Sequence, residues 1–317
     1  MSTNAPSRSG EWLEEWDPED PKRWDSSLAW RTLWITTFCL TLAFVAWFLP
    51  SAIIPKLNAL GYTFTMTQLY WMAAMPGLSA GLFRLVWMVL PPIMGTRKMV
   101  SLTTLLLIAS TLGWGVRVIS PTAPYWELMV LAFLAGIGGG AFSGFMPSTS
   151  YFFPRAKQGT ALGLQAGLGN FGVSLVQLLT PYFIGLSFFA FLGSSQQLAI
   201  PGKPSKEVWY QNAAFVWIPL MVIGAAIAWT MLKSVPVKAN IRQQFDIFKN
   251  TDTWLMTLLY IMTFGTFSGL AAQFGLLMSN LYGAGNDQIV KGMGATATVL
   301  IDRYAVPDPV KFVFLGP

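Results

Sequence analysis

The chain has 317 residues, of which 54% are hydrophobic and 11% are charged, and its formal net charge is +6. Soluble domains carry about 25% charged residues, so this composition excludes an ordinary cytosolic enzyme, a nucleic-acid binder and a disordered scaffold. The sequence has no His and one Cys, Cys39, which excludes His-based catalysis, His- or Cys-based metal sites and an internal disulfide. We therefore predict a protein that is not an enzyme and that holds neither a metal nor a cofactor.

The first 30 residues form a polar, acid-rich segment. It lacks the short apolar core and the small-residue cleavage site of a signal peptide. We predict a cytoplasmic N-terminal tail over residues 1–30, with a surface helix around Trp12, Trp16 and Trp24.

Seven long apolar runs follow, and each offers the roughly 20 residues that a membrane-spanning helix needs. They are Leu33–Ile54, Met66–Met94, Met99–Ile119, Trp126–Phe153, Gly159–Leu192, Asn212–Leu232 and Trp254–Tyr282, with the start of an eighth near Val310. The runs are continuous and do not alternate with the period of two that barrel strands show. The fold class that we predict is an all-α polytopic membrane protein.

Basic residues in the short connections predict the orientation of the spans. The connections after the second, fourth and sixth spans carry Arg97, Lys98, Arg155, Lys157, Lys233, Lys238, Arg242 and Lys249. We therefore place these connections and the N-terminus in the cytoplasm. The layout predicts a six-helix bundle over residues 31–233, a cytoplasmic linker over 234–253 and the start of a second bundle over 254–317, with an extracytoplasmic loop at 283–309.

A single basic residue, Arg84, lies at membrane depth in the predicted spans, where no acid is present to pair with it. An Arg at the centre of a membrane helix costs roughly 2.5–3.5 kcal/mol. The guanidinium group can hold a planar oxyanion with two parallel hydrogen bonds. We therefore expect Arg84 to face a wet cavity and bind an anion; the alternative is that it binds lipid phosphate or backbone carbonyls.

Two spans carry glycines at four-residue spacing, namely Gly136, Gly140 and Gly144 in the fourth and Gly159, Gly163 and Gly167 in the fifth. Such triplets favour close packing of helices. Asn170, deep in the fifth span, could donate its amide to an anion or to a neighbouring helix. In the seventh span, Tyr260, Phe264 and Phe267 share one face, and the Tyr260 hydroxyl needs a partner at membrane depth.

The segment Gly163–Ser174 resembles the nitrate signature of the nitrate/nitrite porters in the major facilitator superfamily. The similarity covers nearly the whole chain outside residues 283–308. It includes Trp16–Pro21, Arg31–Ile35, Ser150–Pro154, Gln158–Gly159 and Leu258–Gly265.

This resemblance implies a substrate site of six residues. They are Arg84 and Asn170 as anion ligands, Phe142 and Phe264 against the flat faces of the anion, Tyr260 as a hydroxyl donor and Phe44 in the cavity wall. It also implies nitrate and nitrite as substrates, lipid but no nucleic acid as a partner, a monomer, and a place in the bacterial inner membrane.

The superfamily has twelve helices, whereas this sequence reaches the start of the eighth at Pro317. The family's second anion-binding arginine and its second glycine signature would lie beyond that position. We therefore expect the chain to correspond to the N-terminal half of such a porter plus the seventh helix.

The function that we expect is nitrate/nitrite exchange by alternating access. Two alternatives stay open. One is transport of another small anion such as an organic carboxylate, and the other is a membrane scaffold or receptor that does not transport.

Overall fold

The computed structural model describes residues 11–200, 203–237 and 245–282. Helix α1 covers Ser26–Ile53, and α2 (66–94) and α3 (96–117) lie within one helical stretch, Met66–Arg117. Helices α4 and α5 cover Tyr125–Ser150 and Arg155–Phe183. Helix α6 covers Trp217–Met231 and follows the short helix Asn212–Phe215, and α7 consists of Thr251–Tyr260, Ile261–Gly265 and Thr266–Tyr282 in succession. The predicted loop 283–309 and the start of an eighth helix near Val310 lie outside the described residues.

Within the described residues, six helical stretches are long and apolar enough to cross a bilayer, and one of them holds two spans. Met66–Arg117 has 52 residues, which would extend about 78 Å as one straight helix, against a hydrocarbon core of about 30 Å. Gly95 breaks it, with φ 74° and ψ 165°, a conformation that only glycine adopts readily. The seven predicted spans are therefore all present, with the second and third meeting at Gly95.

Helix α1 forms the centre of the bundle and contacts α2, α4, α5 and α6. The neighbouring helices α4 and α5 can pack close to α1 because they present glycines to it. A Cβ added at Gly138 in α4 would meet the backbone carbonyl of Ala43, and one at Gly172 in α5 would meet the carbonyl of Thr41. Small residues thus let these helices approach α1 at backbone distance, as membrane helices commonly do.

We expect Gly172→Ala to lower the free energy of unfolding by about 1–3 kcal/mol, the usual cost of overpacking a filled core. The matched control is Gly167→Ala in the same helix, where an added Cβ has no atom within 4 Å among the described residues. Thermal unfolding in detergent should show a lower midpoint for Gly172→Ala alone. Equal midpoints for the two variants would contradict the close α1–α5 contact.

The N-terminal segment 11–25 is not helical, so the predicted surface helix is wrong. Two of its tryptophans instead donate hydrogen bonds to backbone carbonyls just beyond the end of α4. Trp16 Nε1 donates to Tyr151 O at 3.1 Å, and Trp24 Nε1 donates to Phe152 O at 2.9 Å. Carbonyls at a helix C-terminus lack partners within the helix, which explains why these donors dock there. We call this end of the bundle the tail end.

The same segment also pairs with the chain that follows α6. Leu13 N donates to Ser234 O, and Ser234 N donates to Glu11 O, both at 2.9 Å. The Glu11 carboxylate lies 3.4 Å from Lys98 Nζ, beside the break between α2 and α3. The N-terminal segment therefore ties the tail ends of α2, α3, α4 and α6 together.

The predicted fifth span runs nine residues too far, because α5 ends at Phe183. The Asn212 side chain donates to the carbonyls of Phe183 and Leu186 and caps this end. The apolar residues beyond Gly185 then enter a connection that contains an antiparallel hairpin, β1 (Gln196–Ile200) with β2 (Lys203–Val208). We call this side of the bundle the hairpin end.

Candidate functional site

The small residues of α4 bring the backbone of α2 close and so set the position of Arg84. A Cβ at Gly140 would lie 2.5 Å from Phe83 Cβ and 3.4 Å from Arg84 N, and one at Gly136 would lie 2.7 Å from Ala80 N. The glycine triplet of the fourth span therefore serves helix packing. By contrast, added Cβ atoms at Gly159, Gly163 and Gly167 meet nothing within 4 Å in the described part of the chain.

The half-buried Arg84 side chain crosses from α2 toward α4 and α7. Its Nε donates to Gly139 O at 3.3 Å, so a backbone carbonyl binds one donor of the guanidinium. Within the described residues Arg84 forms no ion pair with an Asp or Glu. The guanidinium charge is thus neutralised by no side chain described here, and its outer amines remain available to a ligand.

Aromatic rings surround this guanidinium. Arg84 Cζ lies 5.7 Å from the ring centroid of Phe142 and 5.2 Å from that of Phe264, within the range of a cation–π interaction. Phe264 stacks on Tyr260, with centroids 5.0 Å apart and ring planes 10° apart. Phe44 meets Phe142 edge-on at 6.0 Å. Five of the six residues predicted for the site are therefore joined by direct contacts.

Asn170, the sixth residue, makes no hydrogen bond to this group among the described residues. Its Nδ2 donates to Ala166 O, one turn earlier in α5, at 2.8 Å. Its Oδ1 is buried and has no hydrogen-bond partner among the described residues. The amide nitrogen carries two hydrogens, so the bond to Ala166 leaves one of them for an anion.

A cavity of about 470 Å³ lies between α1, α2 and α7, with Arg84 and Phe264 in its wall. Phe44, which was predicted to line the cavity, is instead fully buried, and Phe142, Tyr260 and Asn170 are also not lining residues. Its other polar lining side chains are Ser51, Ser268 and Gln273. Trp47 also lines it and stacks on Phe264 with centroids 6.4 Å apart.

Sequence reasoning missed Trp47, Ser51, Ser268 and Gln273. Ser268 could have been found, because it lies one turn after Phe264 on the same face of α7. Trp47 and Ser51 could also have been found, because they follow Phe44 by three and seven residues on one face of α1. Gln273 had no distinctive spacing.

This arrangement can hold a small anion by charge and shape. The single cationic group provides hydrogen-bond donors, and flat aromatic surfaces close the site on its sides. The described residues contain no group of three or more His, Cys, Asp or Glu side chains that could bind a metal ion.

The model of the Major Facilitator Superfamily matches residues 36–301 of the chain. One relative, the probable nitrate/nitrite antiporter NarK2 of Thermus thermophilus, is 54% identical over 313 residues, which cover 98% of this chain and 66% of the relative. Another, the nitrate/nitrite transporter NarU of Escherichia coli strain K12, is 38% identical over 84% of this chain and 58% of its own length.

The chain thus spans about three fifths to two thirds of the length of these relatives. Among solved structures, a bacterial homologue of the human lysosomal transporter Spinster, in an inward-facing and unoccupied conformation, matches with a TM-score of 0.58 at 14% identity. The match covers 91% of this chain and 60% of that one, and it shows a common fold.

Proposed function

Since this chain belongs to the nitrate/nitrite porter family of the major facilitator superfamily, we propose that it carries nitrate and nitrite across a membrane in exchange for one another. Both relatives described above bear names that state nitrate/nitrite transport. The observation that carries the proposal is Arg84, a membrane-depth guanidinium in the wall of a cavity, held against two aromatic rings and without an acidic partner among the described residues.

The geometry supports a flat anion over a bulky one. The outer amines of Arg84 can donate two parallel hydrogen bonds to two oxygens of one anion. The ring centroids of Phe142 and Phe264 are 6.3 Å apart, with the ring planes tilted by 31°, whereas an ion between two parallel rings needs a gap of about 7 Å, with about 3.5 Å for each contact. A planar anion therefore requires the two rings to turn toward parallel and move apart, and a tetrahedral anion would require a wider gap.

In this proposal Tyr260, which is stacked on Phe264, donates its hydroxyl to the anion, and Phe44 packs edge-on against Phe142. Asn170 adds the amide hydrogen that its bond to the Ala166 carbonyl leaves free.

We expect Tyr260→Phe to weaken nitrate binding by about 10- to 100-fold, because a hydrogen bond to a charged group contributes about 1.5–3 kcal/mol. The stacked ring on Phe264 is kept in this variant. Tyr182→Phe, a change at the C-terminal end of α5, is the control and should bind nitrate normally. Unchanged nitrate affinity in Tyr260→Phe would remove the hydroxyl from the site.

We also propose that the chain works as a monomer in the bacterial inner membrane, with the tail end in the cytoplasm. Lys98, Arg155 and Lys157 lie at the tail end, on the connections between spans, as the positive-inside rule requires. A cysteine placed in the described part of the tail, at Ser26, should be labelled by an impermeant thiol reagent only in inside-out vesicles.

Competition for nitrate uptake into proteoliposomes tests the proposed substrate. Nitrite and chlorate should inhibit uptake of labelled nitrate, whereas acetate and larger carboxylates should not. Inhibition by carboxylates alone would favour an organic-anion transporter. A folded protein that neither binds nor transports any of these anions would favour a membrane scaffold.

A further inference from the structure

The seventh helix is held most firmly at the hairpin end of the bundle. Its first part, Thr251–Tyr260, has no buried residue. Near its other end, Leu276 is only 2% exposed, and a Cβ at Gly275 would lie 3.6 Å from Pro55 Cγ, just beyond α1. The contact between α7 and the bundle thus forms a closure of these two parts at the hairpin end.

One side chain joins three helices at this closure. Gln177 of α5 donates from Nε2 to the Ala271 carbonyl of α7 at 2.7 Å and to the Ser51 hydroxyl of α1 at 3.1 Å. Ser51 in turn donates to Phe48 O at 2.7 Å. Both Ser51 and Phe48 line the cavity that holds Arg84, so this hydrogen-bonded group forms the hairpin-side limit of the candidate site.

We propose that Gln177 is a conformational latch: it holds α7 against the six-helix bundle at the hairpin end, and its bond to Ala271 must break before the cavity opens to that side. The inference rests on the proposed function, because only a carrier that opens alternately to its two ends needs a closure that can be released. A neutral hydrogen bond suits this role, since its loss changes the ratio of two states by about three- to tenfold. An ion pair at the same depth would be harder to separate.

The bond partners explain why Gln suits this position. The amide donates two hydrogens at once, one to a carbonyl of α7 and one to a hydroxyl of α1. A Leu would fill similar volume without donating, and a Glu would keep the size and polarity but could not, when ionised, donate to the Ala271 carbonyl.

Thiol labelling tests the latch without using nitrate. In a Cys39→Ala background, Ser268→Cys places a reporter in the cavity wall. Its reaction rate with an impermeant thiol reagent is measured in vesicles of both orientations. We expect Gln177→Leu and Gln177→Glu to raise labelling from the hairpin side about three- to tenfold and to lower labelling from the tail side.

The matched control is Gln165→Leu, three turns earlier in the same helix. Gln165 is fully buried and donates to Thr36 Oγ1 of α1 at 3.2 Å. Thr36 Oγ1 in turn lies 3.0 Å from Thr149 Oγ1 of α4, so these hydrogen bonds join α5 to α1 and α4 and not to α7. Gln165→Leu should leave the labelling from both sides unchanged. If Gln177→Leu melts early, Gln177→Glu decides the result.

Unchanged labelling in a folded Gln177→Leu protein, or in a folded Gln177→Glu protein at every pH tested, would overturn the latch, and so would an equal shift in Gln165→Leu. These outcomes are separate from those of the proposed function. If the labelling experiment contradicts the latch, the result of the nitrate competition experiment is unaffected. Conversely, a protein that does not bind nitrate can still show the shift in labelling.

Discussion

Replacing Arg84 with Lys is expected to weaken nitrate binding by about 10- to 100-fold, although the positive charge is kept. The guanidinium places two donors side by side at the spacing of two oxygens, whereas an ammonium group is a single point of charge. Charge-assisted hydrogen bonds contribute about 1.5–3 kcal/mol. The shorter Lys side chain would also leave the faces of Phe142 and Phe264, over which Arg84 now lies.

The test is equilibrium binding of nitrate to the purified protein in detergent. Arg117→Lys is the matched control, because Arg117 lies at the opposite end of α3 from Gly95 and pairs with Glu127 at 2.8 Å, outside the cavity. It should bind nitrate as the parent does. Equal affinities of the parent and Arg84→Lys would mean that Arg84 supplies only diffuse charge, or none.

Transport is expected to be an exchange of anions, with nitrate uptake into nitrite-loaded vesicles at least about tenfold faster than into empty ones. Proton coupling generally uses a group that titrates at membrane depth. The sequence has no His, and in the described spans the acids, Glu127 and Asp252, lie in first helical turns. Arg side chains stay protonated in proteins.

The physical reason for exchange is the cost of an empty site. An unpaired Arg at membrane depth costs roughly 2.5–3.5 kcal/mol, which corresponds to roughly a hundredfold in an equilibrium. A bound anion removes that cost, so the loaded carrier can close and pass through the occluded state while the empty carrier stays open on one side. Return of the carrier therefore requires a second anion.

Proteoliposomes decide between exchange and proton symport. Vesicles are loaded with nitrite or left empty, and labelled nitrate is added outside with and without an imposed pH gradient. Exchange predicts uptake that depends on internal nitrite and is insensitive to the gradient. Nitrate uptake into empty vesicles that is driven by the pH gradient would contradict it.

The seven spans could be predicted because an apolar run of membrane length can satisfy its backbone hydrogen bonds in a bilayer only as a helix or within a closed barrel. The residues at which helices end were harder to predict, because side chains distant in sequence determine them. Asn212 caps α5 at Phe183, 29 residues away in sequence, and no local pattern in the fifth run foretells that cap. The same holds for Trp16, whose partner Tyr151 lies 135 residues further along the chain.

Arg84 could be singled out from the sequence alone, since the cost of a lone charge in a membrane is large and needs a compensating role. The aromatic residues around Arg84 could not be singled out in the same way. Phe142 and Phe44 lie among many similar residues, so their places came from the resemblance to a family. Asn170 remains a prediction, because the hydrogen bond of its amide in this structure is to Ala166 O of its own helix and not to another residue of the site.

The most direct test of the anion site is an experimental structure of the protein with nitrate bound. The account predicts planar density within hydrogen-bond distance of the Arg84 guanidinium, between the rings of Phe142 and Phe264, whose centroids move from 6.3 Å apart to about 7 Å. Nitrate bound elsewhere in the protein, with the two rings unmoved and Arg84 still bonded only to Gly139, would contradict it.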